Sequence, residues 1–218
     1  MKIALVGGTG DIGTGLALRW AKSHEILIGS RKEEKAVESA GRVLEALQGK
    51  GQVGGLDNGS AIQAADVVVL CVPYEHLISV TSDLLGSYSG QIVVSPVVPM
   101  VFKGKHFDFT PPAEGSAAMQ IKALLPEDLR IVSAFHTICA AALQDLEREL
   151  NADVLVCGDD QEALELVAGL VGEIKRLRPL NAGPLTVSGM VESLTPMLLN
   201  VARHSKIKDP GIKIVSER

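Results

Sequence analysis

Aromatic side chains make up only 3% of the 218 residues. The core is therefore left to Val, Ile, Leu and Ala, and with 22 glycines this suits buried parallel strands separated by tight turns. Cysteine is scarce: Cys71, Cys139 and Cys157 lie far apart with no C-x-x-C spacing, which excludes a disulfide framework or a zinc cluster and points to reduced thiols. No apolar run approaches the roughly 18 residues of a membrane span, and the first strand-like run, Ile3 to Val6, is too short for a secretory core. There is no excess of positive charge, with 21 basic against 26 acidic residues and a net charge of −5. The basic residues are scattered, so a nucleic-acid partner is not expected. What remains is a globular composition, 46% hydrophobic and 22% charged, read as a soluble cytoplasmic protein without a membrane association.

The length suits one main domain with an appendage, at roughly 100–200 residues per domain. Ile3–Val6 stops at Gly7-Gly-Thr-Gly10 and a helical pattern follows to Trp20, so the chain opens as strand, turn, helix. Glu25–Ile28 is a second strand and Lys32–Leu47 a surface helix. Further strands are expected at Val67–Val72, stopped by Pro73, at Gln91–Val94, Arg130–Phe135, Val154–Cys157 and Lys175–Leu180, with helices at Glu75–Leu85, Glu114–Leu125 and Glu162–Val171. Ser95-Pro-Val-Val-Pro99 carries two prolines and reads as an extended loop, either facing a ligand or packing an edge. Lys103–Pro112 reads as irregular. After Gly183-Pro184 the pattern changes to an apolar helix, Val191–Val201, around Pro196, and a strand-like run, Pro210–Val215. The expected fold is α/β: a Rossmann-type, mostly parallel sheet with helices on both faces and a small C-terminal helical and strand extension. Its expected parts are 1–182, the dinucleotide-binding domain, and 183–218, the small extension.

Gly8-x-Gly10-x-x-Gly13 lies between the first strand and its helix, the context that makes this pattern a dinucleotide-binding turn. Gly8 is expected to permit the tight turn, Gly10 to let the pyrophosphate approach, and Gly13 to let the helix pack against its strand. Thr9 adds a hydroxyl; Asp11 favours the helix dipole but repels a pyrophosphate unless it points away. The end of the second strand has no acid to bind a ribose 2′-OH. Ser30, Arg31 and Lys35 stand there instead, a hydroxyl, a guanidinium and an ammonium suited to a 2′-phosphate, so NADP(H) is the expected dinucleotide.

His136 ends a predicted strand, where α/β ligand sites gather; it could bond a coenzyme, serve in proton transfer or be satisfied by backbone groups. Asp159 and Asp160 read as helix-capping residues rather than a general base. Glu192, Ser193 and Thr195 either bond a coenzyme or a dimer partner, or face solvent on the tail helix. The other four histidines share no metal-ligand spacing, and no metal site is expected.

The chain resembles the F420-dependent NADP oxidoreductases along nearly its whole length. The likeness is carried by Gly7-Gly-Thr-Gly-Asp-Ile-Gly13, Gly29-Ser-Arg-Lys-Glu-Glu-Lys35, Val72-Pro-Tyr-Glu-His76, Val93-Val-Ser-Pro-Val-Val-Pro99, Gly115-Ser-Ala-Ala118, Ser133-Ala-Phe-His-Thr-Ile-Cys-Ala140 and Val156-Cys-Gly-Asp-Asp160. It continues through the more particular tail motifs Leu177-Arg-Pro-Leu180, Val191-Glu-Ser-Leu-Thr-Pro196 and Gly211-Ile-Lys213. The resemblance implies a homodimeric oxidoreductase that passes hydride between NADP(H) and the deazaflavin coenzyme F420, its co-substrate, by stacking the two rings, with 183–218 as the small element for deazaflavin contact and dimerisation. Carried over, Thr9 to Ile12 hold the pyrophosphate, Ser30, Arg31 and Lys35 the 2′-phosphate, and Tyr74, Val98 and Ala140 line the NADP site, while Pro210 lies in the segment touching the deazaflavin. This chain departs from its relatives at Cys139 and Pro210, and Pro210 has no N–H to offer a ligand. The alternatives are a reductase of another acceptor, such as a flavin, ferric chelate or small imine or carbonyl, and a non-catalytic NADP sensor.

Overall fold

The computed structural model describes residues 1–216. The expected βαβα opening is present as β1 (Lys2–Val6), α1 (Asp11–Trp20), β2 (Glu25–Ser30) and α2 (Glu33–Ala46). It continues through β3 (Gln52–Asp57), α3 (Asn58–Gln63), β4 (Val67–Leu70), α4 (Tyr74–Asp83) and β5 (Ile92–Ser95). A small hairpin, β6 (Met100–Phe102) and β7 (Phe107–Phe109), precedes α5 (Ala117–Leu124), β8 (Arg130–Ser133), α6 (Ala140–Gln144), β9 (Ala152–Gly158), α7 (Gln161–Gly172) and β10 (Leu177–Gly183). The chain ends on α8 (Ser188–Glu192), α9 (Leu194–Ser205) and an irregular tail.

The main sheet has the order β10-β9-β8-β5-β4-β1-β2-β3. From β3 to β8 every pairing is parallel; β9 runs antiparallel to β8 and β10 parallel to β9. The sheet is thus mostly parallel, and the chain reverses direction across it between β1 and β4, the crevice where α/β sheets bind ligands. Central strands are short apolar runs because helices cover both faces. Ile3, Leu5, Val67 and Val69 enter one apolar cluster with α1, α2 and α7, and the alternate residues Ala4, Val6, Val68 and Leu70 enter the other with α3, α4 and α5. Trp20 anchors the first cluster, donating its indole N–H to the Leu170 carbonyl (3.0 Å) and meeting Phe135 edge-on at 5.6 Å. No helix among the described residues is long and apolar enough to cross a membrane.

Several elements differ from expectation. The strands beginning at Val67 and Arg130 end at Leu70 and Ser133, short of Val72 and Phe135, where the chain turns into the ligand crevice. The region expected to be irregular, Lys103–Pro112, holds β7, which pairs with β6 just before it, and Asn200 of α9 pins this hairpin by accepting from the Phe107 N–H (2.7 Å) and donating to the Phe107 carbonyl (2.8 Å). The tail helix divides at Ser193, and Pro196 falls in the first turn of α9, where its missing N–H costs no intrahelical bond. Pro210–Val215 forms no strand; it docks through single hydrogen bonds described below. β3 carries Gly54-Gly55, residues depleted from strands, and so gives little strand signal in sequence. The reason for Gly55 is tertiary: a Cβ there would lie 2.2 Å from the Val37 amide nitrogen of α2.

Candidate active site

A cleft of about 950 Å³ opens at the C-terminal ends of β1, β2 and β4. Its floor is the glycine turn. Gly7, not Gly8, adopts the left-handed backbone of the turn (φ +67°), which favours glycine. Gly8 is instead a close-approach position: its N–H donates to the carbonyls of Leu5 (2.9 Å) and Gly29 (3.0 Å), and a Cβ would meet Leu5 at 2.6 Å. A Cβ on Gly13 would lie 2.4 Å from the Gly8 carbonyl oxygen, so Gly13 seats the helix on the turn itself rather than on the strand. Gly8 and Gly13 are buried and do not line the cleft. Gly10 is different, exposed and with open space where a Cβ would project. It is the N-cap of α1 and no side chain caps that end, leaving the first-turn N–H groups directed at the cleft.

Thr9, Gly10, Asp11, Ile12, Ser30, Arg31, Lys35 and Ala140 all line this cleft. The carboxylate of Asp11 is drawn toward Gln144, whose amide donates to the Asp11 carbonyl (3.0 Å) and to Oδ1 (3.4 Å). Ser30 is buried, its Oγ accepting from the Lys32 N–H (3.2 Å), while Arg31 and Lys35 stand exposed. The ion pair of α2 joins Glu38 to Arg42 and leaves both cations at the cleft rim without a carboxylate partner among the described residues. Asn58 was not singled out in sequence. Buried, it accepts from the Gly7 N–H (3.1 Å) and so ties the turn to the end of β3. The Asp57-x-x-Ser60 cap that starts α3, Asp57 Oδ1 accepting from the Ser60 N–H at 3.0 Å, was the available signal.

Ile12, Val72, Pro73 and Ala140 are shared with a second cavity of about 460 Å³, where Tyr74 and Val98 lie. Tyr74 and Val98 are therefore beside the glycine-turn cleft, not in it. The Pro96–Val98 loop supplies an apolar wall here. A third cavity of about 370 Å³ shares Met100, His136, Ile138, Ala140 and Thr195 with the second and reaches Cys139, α9 and Pro210. The three form one trough running from the glycine turn to the C-terminal tail.

His136 sits at the middle of this trough. It follows Phe135, which takes a left-handed backbone (φ +69°) and is held by Trp20; strain of that kind in an aromatic residue persists only where packing fixes it. His136 is buried, and neither ring nitrogen has a hydrogen-bond partner among the described residues. Burial pushes its pKa down to about 4, against a weaker opposing effect of the Ser95 backbone, so the ring is neutral at pH 7. Its carbonyl accepts from Thr195 Oγ1 (2.8 Å), which ties the loop to α9. Glu192 neither faces solvent nor reaches the trough: it is fully buried and accepts from the Ala117 (2.9 Å) and Ala118 (3.1 Å) N–H groups at the start of α5. Burial raises its pKa to about 7, overcoming the lowering effect of those two amides. Asp160 caps α7 as expected, accepting from the Ala163 N–H (2.8 Å), and Asp159 is engaged by Lys122 and the Leu185 N–H. No metal-holding group of side chains occurs among the described residues.

The local geometry separates the roles of the glycines. Gly10→Ala is expected to leave the unfolding midpoint essentially unchanged, because its Cβ meets nothing, and to weaken NADPH binding about tenfold, roughly 1.4 kcal/mol. Thermal unfolding and a binding titration on the same preparation check it.

Residues 2–99 match the family described as NADP oxidoreductase, coenzyme F420-dependent. The chain is 41% identical to the F420-dependent NADP reductase of Methanocaldococcus jannaschii, over 99% of both chains. It is 35% identical to the F420-dependent NADP reductase of Methanothermobacter thermautotrophicus, over 99% of this chain and 95% of that one. A crystal structure from Arthrobacter sp. FB24 shares the fold, with a TM-score of 0.84 at 24% identity, covering 99% of this chain and all of the other. Full-length identity of this order places the chain in the F420-dependent NADP reductase family.

Proposed function

We propose that this protein is an oxidoreductase that transfers hydride reversibly between NADP(H) and the deazaflavin coenzyme F420. The observation that carries the reading is the continuous trough, in which a dinucleotide cleft opens directly into an apolar cavity and then into a second pocket under the tail. Both coenzymes supply the hydride chemistry themselves when bound. The open space above Gly10 and the uncapped start of α1 suit a pyrophosphate, and Arg31 and Lys35 beside Ser30, without a carboxylate partner among the described residues, suit a 2′-phosphate.

The chain's own residues bind, orient and exclude water. Gly8 and Gly13 shape the turn; Thr9, Gly10, Asp11 and Ile12 surround the pyrophosphate. Val98, Tyr74 and Ala140 flank the meeting point of the rings, where alignment of donor and acceptor supplies most of the rate. The apolar loop at Pro96–Val98 keeps solvent from the transferred hydride. A neutral His136 offers one N–H and one lone pair to whichever ring lies against it, as a hydrogen-bonding group rather than an acid. Residues 1–182 act as the dinucleotide part and 183–218 as the acceptor-side part, with Pro210 contributing only apolar surface.

A homodimer in the cytoplasm fits the same reading. Val101 and Phe102 on the hairpin and Met197 and Val201 on α9 are large exposed apolar side chains on two elements that pack together, and such patches mark association surfaces.

The test is anaerobic mixing of the protein with NADPH and oxidised F420, following loss of the deazaflavin absorbance, with NADH and FMN in parallel. Bleaching with NADPH and F420 alone is expected. NADPH oxidised only with a different acceptor marks another reductase; NADPH bound but never oxidised marks a sensor.

A further inference from the structure

β9 pairs with β10 along its length but meets β8 only at its last two residues, Cys157 and Gly158. The first half of that β9 edge is taken by the tail. The Asp153 N–H donates to the Ile212 carbonyl (2.7 Å), and the Asp153 carboxylate accepts from the Ile214 N–H (2.6 Å). Two cations close on the same carboxylate: Arg178 donates Nε and Nη2 to its two oxygens (2.9 and 2.6 Å), and Lys213 Nζ lies at 3.1 Å. Arg178 Nη2 also donates to the Ile214 carbonyl (2.6 Å). Asp153 has no exposed surface, and these donors hold its carboxyl well below the usual carboxylate range.

Four residues upstream the tail is held a second time. Asp209 accepts from Arg148 Nη1 (2.6 Å) and from the Cys139 thiol (3.1 Å). Between the two anchors Pro210 walls the tail-side pocket, and Gly211 passes so near β9 that a Cβ would lie 3.2 Å from Ala152. Of the two anchors only the one at Asp153 is buried; the Arg148–Asp209 pair is open to solvent, where such pairs hold little.

We propose that Asp153 is a positioning residue for the acceptor pocket: through Arg178, Lys213 and the Ile212–Ile214 backbone it fastens the tail to β9 and thereby fixes the Asp209–Pro210 wall. The inference rests on the acceptor reading above for its kinetic consequence, but the wall itself has an independent reporter. Cys139 is a free thiol held against the strap, whereas Cys71 and Cys157 are buried.

The experiment compares the full-length protein with Asp153→Asn and with a chain ending after Gly211. Alkylation of Cys139 by a maleimide, read by mass spectrometry, is expected to accelerate at least tenfold in both variants, with Cys71 and Cys157 unchanged. The KM for F420 is expected to rise about tenfold at saturating NADPH, the Kd for NADPH to stay within twofold, and Asp153→Asn to add nothing in the shortened chain. Unchanged Cys139 reactivity would overturn the proposal, as would a fall in NADPH affinity parallel to that for F420, which is what general loosening of the sheet produces. If the parent protein fails to reduce F420, the acceptor reading fails, and thiol reactivity alone decides whether Asp153 holds the wall.

Discussion

Arg31→Glu is expected to weaken NADPH binding by a hundredfold or more and to leave NADH binding within a few-fold, so that the dinucleotide preference reverses. Charge-assisted hydrogen bonds contribute about 1.5–3 kcal/mol each, and a hundredfold corresponds to about 2.7 kcal/mol. The substitution removes a planar donor pair suited to a phosphate and puts a carboxylate where the 2′-phosphate would lie, beside Glu33 and Glu34 in the first turn of α2. Lys35 and Ser30 remain, but one ammonium and one hydroxyl already shared with the Lys32 N–H cannot offset the new repulsion. Stability is expected to change little, because Arg31 is exposed and has no carboxylate partner among the described residues. Equilibrium titrations with NADPH and NADH at fixed salt, together with an unfolding curve, check it; unaltered NADPH affinity would remove this corner from the binding site.

The second large effect concerns pH. Glu192 has its pKa raised from 4.5 to about 7, so its contribution to stability is fully present below pH 4.5 and is lost as pH rises toward 7. His136 has its pKa lowered from 6.5 to about 4, so its contribution is present above pH 6.5 and is lost as pH falls toward 4. At roughly 1.4 kcal/mol per pH unit each is worth about 3 kcal/mol. Between pH 4.5 and 6.5 the two slopes have opposite sign and similar size, so together they leave the parent nearly flat. Glu192→Gln is expected to uncover the histidine slope, with stability falling by about 3 kcal/mol relative to the parent as pH drops across that window. His136→Asn is expected to uncover the carboxylate slope, with stability rising as pH drops. Denaturant midpoints at pH 4.5, 5.5 and 6.5 separate them, and parallel curves for parent and Glu192→Gln would contradict the assignment. Glu192 stays buried at this cost because its carboxylate is the acceptor for two N–H groups at the start of α5, and because α8, which carries it, leads directly to Thr195 and the His136 loop.

Much of the dinucleotide half was legible in the residues. The short apolar runs became both-face-buried strands, Gly8-x-Gly10-x-x-Gly13 became the strand-to-helix turn, and Ser30, Arg31 and Lys35 reached the same cleft, because each depends on neighbours within a turn or a strand. The assignments within the turn were less so: the positive φ belongs to Gly7, and Gly13 approaches Gly8 rather than the strand. β3 was hidden because Gly55 answers to α2, a contact that no local propensity encodes.

The acceptor side was hardly legible. Glu192 read either as a contact to a coenzyme or dimer partner or as a surface residue of a tail helix, and is a buried partner of α5, 75 residues away. The tail looked like a strand and is a docked strap, its position set by Asp153, 61 residues before Ile214. By itself the sequence determined the α/β class, the glycine turn and the basic corner, which rest on spacing along the chain, while the family was implied by the resemblance of its motifs. The tertiary structure alone decided how the cleft continues into the tail-side pocket, which buried carboxylates hold it and which cations answer them. Pairings across 60 residues or more follow from the crossing of packed elements, and a burial that leaves one partner for each donor is settled only when those elements meet.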